Sequence, residues 1–122
     1  MDISLEWQNL FSRYFDSVII VEGKKDAAAL NALGFEKVYT INQTGVSLRE
    51  RIEDITHGLS KKDIVCILTD FDKKGKQLYF LIFKEMQSLG VKLDNSLRGI
   101  LGRMGISHIE GLDTFVNTHD CF

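Results

Sequence analysis

Two unbroken apolar runs stand out along the chain, Val18-Ile19-Ile20-Val21 and Ile64-Val65-Cys66-Ile67-Leu68. Runs of this length without polar alternation suit parallel strands covered on both faces. Lys37–Ile41 and a short Val91–Leu93 read as two further strands, and the third strand extends over Ile64–Thr69. Between them lie Lys24–Leu33, Ser47–His57 and Lys73–Leu89, each long enough for a helix. In the middle one Leu48, Ile52, Ile55 and Leu59 recur at helical period, and Ser47 and Glu50 have capping-box spacing. Proline is absent, so glycine does most of the punctuation. Gly34, Gly58 and Gly90 each follow a helical segment, at the position where left-handed backbone costs glycine least.

Strand and helix alternate along the chain, which predicts a layered α/β fold on a parallel sheet of about four strands. Right-handed crossovers would then put every strand C-terminus on one edge. The expected organisation is a single domain over residues 1–122 with its core at about 17–93. Residues 1–16 form an accessory helix with Ile3, Trp7, Leu10, Phe11 and Tyr14 on one face, expected to dock beside Phe80 and Phe83. Residues 94–122 form a helical extension: a helix at Ser96–Met104, the segment "ISHIEGL", then a short last helix. Leu78 to Phe83 are apolar in succession, so their helix is apolar on more than one face. It should pack on the sheet and on a second body, either the accessory helix or another subunit.

Composition narrows the classes. At 44% hydrophobic and 26% charged residues the chain reads as an ordinary soluble domain. No apolar run reaches a membrane span. "MDISLEWQNLF" lacks the basic-then-apolar pattern of a signal peptide. Cys66 and Cys121 have no metal-ligand spacing and suit a reducing cytoplasm. The net charge of −2 means that any contact with a polyanion must come from a local patch.

Such a patch is predicted at the strand ends. The third strand runs into "TDFDKKGK", and Asp70 and Asp72, one residue apart, project the same way from extended backbone. Two carboxylates held so close repel unless a cation lies between them. Mg²⁺ suits them, with Mn²⁺ as the alternative, because one or two carboxylates plus water or phosphate oxygens make a normal Mg²⁺ shell. Glu22 ends the first strand; if the first and third strands are neighbours, it faces the pair across the edge where open α/β sheets bind ligands. Lys24, Lys25, Lys73, Lys74 and Lys76 rim that edge, and Gly23 and Gly75 would let backbone N–H groups approach an anion. Taken singly, an acid after a strand is usually a cap and a lysine cluster usually a solvated surface. Asp26 fits a first-turn acid favoured by the helix dipole. The combination at one edge points to phosphate chemistry.

"VIIVEGKKDAAAL" followed by "VCILTDFDKKGK" resembles the Toprim domain, shared by topoisomerases, bacterial-type primases, recombination mediators and small nucleases. Its signature is a glutamate after the first strand and an Asp-x-Asp pair after the third. The resemblance implies a Toprim fold, a compact Rossmann-like parallel sheet of about four strands sandwiched by helices, in which Glu22 serves as general acid/base or metal ligand and Asp70 and Asp72 hold Mg²⁺. A third acid, usual in topoisomerases two residues after the pair, is replaced here by Lys74. Neither a tyrosine-bearing topoisomerase domain nor primase zinc domains fit in the chain. It is instead similar to small stand-alone Toprim proteins and to the ribonuclease that matures 5S ribosomal RNA. That ribonuclease has a similar "EGK-x-D" start, which adds weight to Lys24 and Asp26, while "GISHIEGL" draws His108 and Glu110 into view.

The expected activity is Mg²⁺-dependent hydrolysis or transfer of a nucleic-acid phosphodiester, with RNA and DNA both open. A non-catalytic metal- and nucleic-acid-binding module, in a homodimer or larger assembly, is the alternative. A haloacid-dehalogenase-type phosphatase fits poorly: its Asp-x-Asp follows the first strand, and the later Asp-Asp it needs does not occur here.

Overall fold

The computed structural model describes residues 4–121. Four parallel strands form one sheet in the order β2-β1-β3-β4: β1 Val18–Val21, β2 Val38–Thr40, β3 Ile64–Ile67 and β4 Lys92–Leu93. Around it, among the described residues, lie α1 Leu5–Ser12, α2 Lys24–Ala32, α3 Leu48–His57, α4 Lys73–Ser88, α5 Ser96–Arg103 and α6 Leu112–Thr118, with a 3-10 turn at Ile109–Gly111. The two apolar runs are the central pair, with Ile19 opposite Cys66. Their lack of alternation has a direct cause. Ile19, Val21, Cys66 and Leu68 pack on one face with residues of α1, α2, α5 and α6. Val18, Ile20, Val65 and Ile67 pack on the other with Ile52 and Ile55 of α3 and Ile82 and Met86 of α4.

The helix starts follow their caps. Glu50 N–H donates to Ser47 Oγ at 3.1 Å, and Gly75 N–H to Asp72 Oδ1 at 2.7 Å. Gly34 and Gly90 take positive φ, 106° and 80°. Gly58 does not: its φ is −82°. There the last turn tightens instead, with Gly58 N–H on Ile55 C=O and Leu59 N–H on Thr56 C=O, both 3.1 Å. These short-range bonds satisfy the end carbonyls without a left-handed residue.

The first helix docks through the expected residues but on the other face. Trp7, Phe11 and Tyr14 are buried, and Leu10 is partly so. Trp7 stacks on Phe11, and Phe11 meets Phe35 edge-on, both at 5.7 Å between ring centroids. The Trp7 indole N–H donates to His119 C=O at 2.9 Å. Phe83 belongs to the opposite core, and Phe80 is 68% exposed. The sheet itself separates α1 from α4, so α1 is not the second body expected for α4. Ile3 lies outside the described residues. Among those described, no helix is long and apolar enough to cross a membrane.

Candidate metal centre

The site begins where the β1–β3 ladder ends. Leu68 N–H donates to Ile20 C=O at 2.7 Å. Two residues further on, Asp70 N–H finds a side chain instead and donates to Glu22 Oε2 at 2.8 Å. Glu22 C=O meanwhile accepts from Asn42 N–H at 3.0 Å on the β2 side. Glu22 therefore bridges the strand ends, which requires β1 and β3 to be neighbours, as they are.

The two aspartates are held in the same manner. Asp70 Oδ1 accepts Ile109 N–H at 2.9 Å, and Asp72 Oδ1 caps α4 through Gly75 N–H. Glu22, Asp70 and Asp72 each commit one oxygen to a backbone N–H. The other oxygen of each accepts no hydrogen bond among the described residues. Ligand atoms of Asp70, Asp72 and His108 lie within 4.8 Å of one another, and Glu22 stands outside that group, beside Asp70. Two free carboxylate oxygens and an imidazole nitrogen, open to solvent, are a donor set that fits a small divalent cation with water completing its shell.

An open cleft of about 510 Å³ adjoins these groups, lined by Glu22, Gly23, Lys24, Lys25, Asp26, Asn42, Asp70 and Glu110. Four carboxylates face two lysines there, so a phosphate entering without a cation meets net repulsion. Burial pushes the Glu22 carboxyl above its ordinary range, the Asp70 N–H bond counteracts part of this, and the charges of Asp70, Asp26 and Asp72 add to the rise. Asp26 is raised in the same way, by burial first, opposed by the Gly23 N–H, with Asp70 and Glu110 contributing.

Asp26 stands in the first turn of α2, as expected, and also caps it, accepting Gly23 N–H at 3.0 Å. That corrects the expectation for the two glycines. The N–H groups of Gly23 and Gly75 are each taken by a carboxylate, so neither is free for an anion. Gly75 has a different role. It is buried against the Asp70 backbone, and a side chain there would collide with the Asp70 carbonyl. Lys24 and Lys25 line the cleft, whereas Lys73, Lys74 and Lys76 lie exposed along the start of α4.

Sequence reasoning missed Arg98 and Asn42. Arg98 is buried, donates to Thr69 C=O at 2.6 Å and to Asp70 C=O at 3.2 Å, and lies between the rings of Phe71 and Tyr79, 4.4 and 4.5 Å from their centroids. Burial lowers its pKa, while Tyr79, Asp70 and Glu22 draw it back up. A guanidinium in such surroundings stays charged, so it is a fixed cation behind the acids. In sequence Arg98 is an ordinary helix residue, and nothing local marks it. Asn42 had one usable signal, its place just past the end of β2.

The family model for the Toprim domain matches residues 16–95, which include Glu22, Asp70 and Asp72. The chain belongs to the Toprim domain family. This Toprim protein is 36% identical over 105 residues to a UPF0292 protein of Methanocaldococcus jannaschii, covering 81% of this chain and 77% of that one. It is 31% identical over 107 residues to another from Pyrococcus abyssi, covering 88% and 77%. A solved structure from Aquifex aeolicus superposes with a TM-score of 0.72 at 29% identity, over 88% of this chain and 96% of the other. Arg98, His108, Ile109 and Glu110 all lie beyond the matched residues. The segment after the Toprim core thus supplies part of the candidate site.

The raised Asp26 carboxyl leads to a stability prediction. A carboxyl whose folded pKa lies above its unfolded value favours folding fully only below the unfolded pKa, about 3.9 for Asp. That contribution is lost as pH rises through the folded value. Asp26→Asn, which keeps an acceptor for Gly23 N–H, should therefore melt about 1–3 °C higher than wild type at neutral pH. The advantage should vanish on acidification to about pH 4. Melting curves across that range test it, and a constant offset at every pH would remove the electrostatic explanation.

Proposed function

We propose that this Toprim protein carries out divalent-cation-dependent hydrolysis or transfer of a nucleic-acid phosphodiester. The observation that carries this reading is the Asp70 N–H to Glu22 hydrogen bond, which ties a proton-handling carboxylate to the backbone of a candidate metal ligand. Asp70 and Asp72 hold the cation, Mg²⁺ being the family's usual ion. When bound, it supplies Lewis-acid polarisation of a phosphoryl oxygen. Glu22 takes or returns a proton at Oε1, the oxygen that Asp70 N–H leaves free. Burial favours its protonated form, which brings its pKa toward the working pH of a general acid or base. Lys24 and Lys25 grip phosphates beside the scissile one, and Lys73, Lys74 and Lys76 extend that grip along α4. Asn42 offers a neutral polar contact in the same cleft. Arg98 keeps the Asp70 backbone in place. Cys66 and Cys121 form no disulfide with each other, which suits work in the cytoplasm.

The test is turnover on structured RNA, single-stranded DNA and a small phosphate ester, with and without Mg²⁺. Cleavage of a nucleic acid only with the metal, lost in Asp72→Asn, is the expected result. Asn caps helices well, so that variant should stay folded. Binding of metal and nucleic acid without turnover would replace the enzyme by a binding module. Hydrolysis of the ester alone would indicate a phosphatase.

A further inference from the structure

We propose that His108 is a third metal ligand and that the centre of Asp70, Asp72 and His108 selects Mn²⁺ over Mg²⁺. The inference deepens the metal-centre reading above and rests on it.

His108 is held at the site by bonds on both sides of it. Phe71 N–H donates to Ser107 C=O at 2.9 Å, and Ile109 N–H donates to Asp70 Oδ1 at 2.9 Å. The residues flanking His108 are thereby fastened to the residues flanking and forming the Asp-x-Asp turn. The ring is oriented as well, with Nδ1 lying 3.0 Å from Ser107 Oγ. In the Nδ1–H tautomer the ring donates to that hydroxyl and leaves its Nε2 lone pair on the side of the acids. A bond at the remote nitrogen that fixes tautomer and ring orientation is a regular accompaniment of histidine ligation.

His108 Nε2 stands 3.7 Å from Asp72 Oδ2. That is too long for a hydrogen bond. It is the right separation for two ligands of one ion, since donors about 2.1 Å from a metal lie roughly 3.0–4.2 Å apart. Asp72 Oδ2 has no hydrogen-bond donor among the described residues, because the cap uses Oδ1. The gap between nitrogen and oxygen thus has the width that two ligands of one ion need.

The choice of metal follows from the nitrogen. Mg²⁺ prefers oxygen donors and gives up its water reluctantly. Imidazole suits first-row transition ions, while the two carboxylates keep the site acceptable to Mn²⁺. Since His108 lies beyond the part of the chain that matches the Toprim family model, this preference would be added by the following segment.

Mn²⁺ itself is the probe, followed by electron paramagnetic resonance on the full chain. Wild type is expected to bind Mn²⁺ about tenfold or more tighter than Mg²⁺, judged by competition. Spin-echo spectra of bound Mn²⁺ should carry the modulation of one directly coordinated ¹⁴N. His108→Ala should lose the modulation and most of the Mn²⁺ preference, with Mg²⁺ affinity nearly unchanged. His108→Glu should restore tight binding without nitrogen modulation and shift the preference to Mg²⁺. His108 is exposed, so both variants should fold. Mn²⁺ bound through Asp72 but with no nitrogen signal, or with the same selectivity after His108→Ala, would overturn the proposal and leave the metal centre standing. No Mn²⁺ binding by wild type would sink both.

Discussion

Glu22→Gln is expected to lower metal-dependent phosphodiester cleavage by about 10²–10⁴-fold, the range attached to loss of a positioned acid or base. The fold should survive. Glutamine is nearly isosteric, and its side-chain oxygen can still accept Asp70 N–H, the one hydrogen bond that the Glu22 side chain makes among the described residues. What is lost is the ability to exchange a proton. Stability should move slightly upward at neutral pH. The Glu22 carboxyl lies above its ordinary range, so its contribution to folding is present at low pH and is lost as pH rises through the folded value. Removing the charge removes that loss. Nucleic-acid affinity should change little, since the lysines are untouched. Steady-state rates with Mg²⁺, together with melting curves of the metal-free protein, check both parts. Wild-type turnover, or outright unfolding, would deprive the enzyme reading of its central residue.

Gly75→Ala is expected to destabilise the chain by about 3 kcal/mol or more, at the upper end of what overpacking causes. An added Cβ would lie 2.9 Å from the Asp70 Cα and closer still to the Asp70 carbonyl. The obstacle is backbone, so no side chain can turn aside to make room. Either α4 moves away from the strand end or the Asp70 turn moves. The second outcome breaks the spacing of Asp70 from Asp72 and strains the Arg98 bond to Asp70 C=O. Urea denaturation should show the loss of stability. Calorimetry with Mn²⁺ should show weaker binding in whatever fraction folds. A variant with wild-type stability would mean that the contact between α4 and Asp70 is softer than the geometry implies.

The sheet was legible because its signals are local. "VIIV" and "IVCIL" need no partner to be recognised as strands covered on both faces, and the Ser47 cap is contained in four consecutive residues. Glu22, Asp70 and Asp72 were legible for a related reason: acids directly after apolar runs mark strand ends, and a parallel sheet aligns those ends. Other features depend on which surfaces meet. Arg98 looks like a solvent-facing helix residue until Phe71 and Tyr79 are seen on either side of it. The need for glycine at position 75 arises from the approach of α4 to Asp70, not from a turn. The face chosen by α1 depends on Phe35 and on the residues around His119, remote in sequence from the aromatic cluster of α4.

The Trp7 bond to His119 bears on the order in which the core can close. The two residues are 112 positions apart, so α1 is fully enclosed only once the segment around His119 has joined the core. Contacts of such separation slow folding, because the chain entropy between them is spent before the contact returns anything. Phe11 can meet Phe35 early, but Trp7 stays incompletely covered until Phe115 of α6 and His119 arrive. With Phe115 set edge-on against Trp7, α6 lies over α1 as a latch.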